Sequence, residues 1–218
     1  MTNKVKGTCV PVEYLVLGML ENNVYIISDG KATIVVDPTC KPDEIIKAAG
    51  GLGRRHHPHA SPFGPRGRCE GAARQDRRHG HRLGHRRAHH FGREKLPRDD
   101  MRFTPCPVDH VVNDGDILKI GDMPWKVILT PGHTEGGICL FIDPRFGTNP
   151  EGAPVLISGD TLFCGSIGRT DFQGGDMNAM RRSLKRLAVL PDETVVLPGH
   201  NSTTKIGNER KRVFAYYA

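Results

Sequence analysis

The sequence predicts an α/β (α+β) chain in which β-sheets pack face to face with helices outside. Strand-rich runs are followed by a helical stretch twice over, first within 12–51 and again within 108–190. Three polar, glycine-rich turns also sit at the ends of apolar strands, as they would along the rim of such a scaffold. At 218 residues the chain suits a single domain, 1–218, with a core that needs no disulfides.

In order, VEYLVL, NVYIIS and ATIVVD within 12–37 are rich in Val, Ile and Tyr and are broken by Gly or Asn. That pattern is an antiparallel meander, closed by Asp37-Pro38. KPDEIIKAAGG reads as a short helix, with Asp43 and Glu44 in its first turn and Gly50 ending it. Strands are expected at 108–112, 116–120, 124–129, 137–142 and 154–158. In DMNAMRRSLKRLAVL (176–190), Met177, Met180, Leu184 and Leu187 recur at helical spacing, with Arg and Lys on the other face. A strand at 194–197 runs into Pro198-Gly199-His200.

Net charge is +7, but 51–93 holds eleven Arg against Glu70 and Asp76, a net of +9 that leaves −2 for the remainder. Basicity therefore belongs to one segment and does not mark a nucleic-acid binder. No run of about 18 apolar residues exists, so no membrane span is expected. The six cysteines show no CxxC pair, the pattern of reduced thiols in a cytoplasmic protein.

The three turns are TPGHTEGG (130–137), SGDTLFCGSIGRTDF (158–172) and LPGHNSTT (197–204). Each delivers one His or Asp from the end of a strand: His133, Asp160 and His200. Imidazole with carboxylate is a donor set for zinc or iron. One such turn is a weak signal. Two PGH turns flanking an SGD turn are a much stronger one.

Through TPGHTEGGICL, SGDTLFCGSIGRTDFQGGD and VLPGHNSTTKIGNER the chain resembles the metallo-β-lactamase superfamily, and within it the glyoxalase II-like hydrolases. The likeness covers 12–50 and 94–218. It implies a four-layer αββα sandwich with a metal centre at the sheet edges. His133 would be a ligand of the first metal, His200 of the second, and Asp160 the catalytic carboxylate bridging both. Zinc, as one or two ions, is the implied cofactor, with iron or manganese as substitutes, and a small thioester is the implied substrate. The loop 165–171 would border that substrate, with Arg169 and Asp171 pairing to brace it. The chain stops soon after His200, without the C-terminal helical extension of glutathione-specific relatives, which argues against glutathione specificity.

The family's principal signature, His-x-His-x-Asp-His, is missing from its place. His57-Pro58-His59 gives one H-x-H, but Ala60-Ser61-Pro62 follows. Segment 51–93 contains no Val, Ile, Met, Thr, Lys, Tyr or Trp, and eight of the eleven histidines. Moving its codons by one nucleotide turns His into Ile, Thr or Met, and Arg or Gly into Val, Ala, Gly or Asp. A frameshift near 51, restored near 93, therefore accounts for the composition, although the recovered signature halves fall two residues too far apart. An Arg-rich nucleic-acid arm would carry Lys and stacking aromatics. A dedicated metal tract would repeat its ligand spacing. The segment, with too little apolar surface to fold, is expected to be irregular. Three functions compete: a thioester hydrolase, an iron persulfide dioxygenase whose relatives share GRTDFQ (168–173), and a silent frameshift product.

Overall fold

The computed structural model describes residues 2–38, 40–50, 56–59, 83–84, 110–172 and 174–218, with backbone alone at 56–59, 83–84 and 110–111. The first sheet has the order β1 (Asn3–Val5), β2 (Val12–Leu17), β3 (Asn22–Ser28), β4 (Thr33–Val36), β5 (His56–His59), β6 (Leu83–Gly84), β7 (His110–Val111). β1 to β4 are antiparallel, and β4 to β7 pair in parallel. The second sheet contains β8 (Ile117–Ile120), β9 (Met123–Leu129), β10 (Ile138–Ile142), β11 (Val155–Gly159), β14 (Val195–Pro198) and β15 (Thr204–Lys205). A two-stranded hairpin, β12 (Leu162–Phe163) and β13 (Ser166–Ile167), stands apart from both.

The sheets bury their inner faces against each other. Tyr25, Ile27, Ile34 and Val36 of the first meet Trp125, Val127, Leu140, Ile142 and Ile157 of the second. Helix α1 (Pro42–Ala48) covers the outer face of the first sheet, placing Ile45 against Leu15, Val24, Ile26 and Val35. Helix α2 (Met177–Leu187) covers the other outer face with Met180, Leu184 and Leu187 on Ile128, Leu156 and Val196. Asp176 caps α2, accepting from the backbone N–H groups of Asn178 and Ala179. A short α3 (Ile206–Glu209) leads into a π-wound turn, Arg210–Phe214, that closes the same layer. The expected αββα sandwich is present. Among the described residues no helix is long and apolar enough to cross a membrane.

One expectation needs correction. Segment 51–93 is not irregular throughout, because His56–His59 and Leu83–Gly84 are strands. His56 pairs with Thr33 and His59 with Val36. The reason is backbone chemistry: β4 is buried from Thr33 to Val36 and would otherwise present an open ladder of N–H and C=O groups. An extended neighbour can satisfy that ladder whatever its side chains, apart from the N–H that Pro58 lacks. The remainder of 51–93 lies outside the described residues.

Candidate metal centre

Strand direction gathers the three turns. β9 and β11 both run antiparallel to β10, and β14 runs parallel to β11. The carboxyl ends of β9, β11 and β14 therefore meet at one edge, delivering His133, Asp160 and His200. Val36 and Asp37, at the carboxyl end of β4, line the same pocket as His133 and Asp160. β5 is parallel to β4, so its carboxyl end, His59, emerges on that edge too.

Each turn is fixed by close packing. Gly132 has φ 147°, and a Cβ there would run into the backbone of Met180 on α2. Ser183 donates to Pro131 O at 2.7 Å, and the Asp176 N–H to Gly132 O at 2.8 Å. The Gly199 N–H donates to Gly159 O at 2.9 Å, locking the Asp160 and His200 turns together. Beneath them lies a buried polar tier. Thr130 Oγ1 is 3.0 Å from Thr161 Oγ1, and Ser158 Oγ donates to Leu162 O at 2.8 Å. The Cys139 thiol within this tier is pushed up to about 11 by burial, which makes it an inert core group.

The donor atoms are arranged in two pairs. His133 Nε2 is 3.4 Å from Asp160 Oδ2, and His200 Nε2 is 3.6 Å from Asp160 Oδ1. Each imidazole places Nδ1 beside a backbone carbonyl, His133 on Arg169 O at 2.8 Å and His200 on Leu20 O at 2.9 Å. A carbonyl only accepts, so each ring carries a hydrogen on Nδ1 and turns Nε2 toward Asp160. Burial pushes the Asp160 carboxyl above its usual range, and the two imidazoles oppose that shift. Among the described residues no three His, Cys, Asp or Glu side chains are grouped to hold one ion. The arrangement is instead two His–carboxylate pairs that share Asp160.

Neighbouring rings set the imidazole planes. Phe172 stands edge-on to His133 at 4.9 Å and Phe163 edge-on to His200 at 5.9 Å. Arg169 makes two hydrogen bonds to Asp171, at 2.8 and 3.0 Å, and lies 5.6 Å from the Phe172 ring centroid. That is the brace expected of this loop. Sequence reasoning missed Leu20, whose role is carried by a backbone carbonyl. It also missed Gly168 and Gly199 as packing partners, since a Cβ on either would collide with Asp160. Gly199→Ala is therefore expected to turn the carboxylate away from His200 at a stability cost of about 1–3 kcal/mol. Zinc titration with urea unfolding of the same variant checks both effects.

The profile of the Metallo-beta-lactamase superfamily matches residues 53–200. This chain belongs to that superfamily. It is 34% identical over 125 residues to the hydroxyacylglutathione hydrolase GloC of Haemophilus influenzae, a match covering 54% of this chain and 55% of that protein. The chain thus spans about half the length of the curated relatives it matches. Among solved structures, the BLEG-1 B3 metallo-β-lactamase superposes with TM-score 0.76 at 26% identity, over 93% of this chain and 98% of that one. The structure titled TTHA1623 in a di-iron-bound form gives TM-score 0.69 at 28% identity, over 91% and 97%.

Proposed function

We propose that the chain is built for metal-dependent hydrolysis of a small thioester, with zinc as its metal. The observation that carries this reading is the Asp160 carboxylate, each of whose oxygens faces the Nε2 of a different histidine. His133 and Asp160 would hold one divalent cation and Asp160 and His200 a second, each half-site having two protein ligands where a catalytic zinc ordinarily has three. Such ions, when bound, supply a Lewis acid for the carbonyl and a water made nucleophilic near neutral pH. The chain's part is to fix the donors. Arg169 O and Leu20 O hold the imidazole protons on Nδ1, while the Arg169–Asp171 pair braces the loop beside His133. A thioester suits so sparse a site, because its thiolate leaves without a strong general acid. The likeness to the hydroxyacylglutathione hydrolase GloC supports the thioester.

We further infer that 51–93 is encoded out of frame, on the strength of its missing residue types, and that this impairs the chain. The proposed function is tested by loading the chain with zinc or iron and supplying glutathione and non-glutathione 2-hydroxyacyl thioesters. Thiol release with zinc is expected. Oxygen consumption with iron and a persulfide would instead assign a dioxygenase, and neither activity would leave a silent product.

A further inference from the structure

We propose that Asn23 is the positioning residue for His200, and that the N-terminal hairpin thereby sets occupancy of the second half-site. This rests on the metal reading above.

Asn23 lies on β3, in the sheet opposite His200, and is 2% exposed. Its Nδ2 donates to Pro198 O at 2.9 Å and to Asn201 O at 2.8 Å, while its backbone N–H donates to Gly199 O at 2.8 Å. These three contacts bracket His200, one residue after it and two before. Tyr25 adds a fourth, its hydroxyl donating to Pro198 O at 2.9 Å. The Leu20 carbonyl that orients the imidazole comes from the turn of the same hairpin.

The two side-chain bonds require one nitrogen with two hydrogens, each reaching a different carbonyl across the turn. Serine offers one hydrogen, alanine none, and aspartate would set its oxygens against both carbonyls. The turn also holds Asn201 at φ 66°, a left-handed conformation that needs such support. His133 shares none of these contacts. Its turn is held by α2 and by Arg169 O, so loss of Asn23 should act on one histidine alone.

The test follows His133 and His200 ring nitrogens by ¹⁵N NMR during zinc chloride titration, assigned with His133→Gln and His200→Gln. In Asn23→Asp the zinc response of His200 should weaken at least about 10-fold and that of His133 by less than about twofold. Tyr25→Phe, which loses one bond to Pro198 O but keeps both Asn23 bonds, should weaken the His200 response by clearly less than Asn23→Asp does. Should Asn23→Asp not fold, Asn23→Ser keeps one hydrogen and is expected to fall between the two. Without metal, the Nδ1–H fraction at His200 should drop in Asn23→Asp while His133 holds its own. If zinc moves neither ring in the unmodified chain, the metal reading fails, and this tautomer comparison alone decides the role of Asn23. A His200 unaffected by Asn23→Asp, or both histidines weakened equally, overturns the proposal.

Discussion

Replacing Asp160 by Asn is expected to weaken zinc binding by more than about 100-fold and, in the same metal-free chain, to raise stability at neutral pH. The first effect follows from geometry. Asp160 faces both His133 and His200, and an amide would turn at least one of its two sides into a donor. The second follows from burial, which raises the carboxyl above its unfolded-state value. A group so raised contributes stability that is full below the ordinary aspartate pKa and is lost as pH climbs through the folded one. At neutral pH the metal-free chain therefore holds this carboxyl at a cost, opposed in part by the imidazoles. The neutral amide of the variant carries none. Thermal unfolding with chelator across pH 4–8 should show unmodified and Asp160→Asn chains converging in acid and diverging toward neutrality, with the variant more stable. A variant less stable at pH 7 would mean that the His133 and His200 contacts outweigh desolvation.

Much of this architecture was legible from the chain because burial writes a pattern. β2, β3 and β4 appear as three branched apolar runs, and α2 as Met180, Leu184 and Leu187 at helical spacing. Elements that bury little left no such trace. β1 is only Asn-Lys-Val on an edge, and β12 and β13 are two residues each. β5 was illegible for a different reason: its partner strand imposes it through the backbone, and HHPH has no strand propensity to announce it. Of the site, the His and Asp positions and their Gly-rich turns could be read directly. The carbonyls of Leu20 and Arg169 could not, since any residue supplies one, and only the fold brings position 20 to position 200.

The chain as it stands is expected to bind well under about two zinc ions and to turn thioesters over slowly, whereas a frame-corrected 51–93 should restore both. On the proposed metal reading, His133 with Asp160, and Asp160 with His200, would give each half-site two protein ligands where a catalytic zinc ordinarily has three. By the resemblance to the superfamily, the missing signature would stand at the carboxyl end of the strand beside β4. That strand exists as β5, which puts His57 opposite Ile34 and His59 opposite Val36 in a fixed register. The backbone needed to present an H-x-H pair is thus in place, contrary to a segment with nothing to hold it. The Asp-His that should follow is absent, and Ala60-Ser61-Pro62 offers no metal donor of that strength. On the proposed frameshift, recoding 51–93 would put an H-x-H on a strand the fold already accommodates, with the Asp-His half following two residues later than the signature has it. The corrected chain should bind about two ions and gain at least about 1,000-fold in thioester turnover, about 4 kcal/mol of barrier. Metal analysis after dialysis gives the stoichiometry, and thiol release gives the rate. A full complement of zinc and an ordinary enzymatic rate in the unmodified chain would mean that the Arg/His-rich segment itself completes the site.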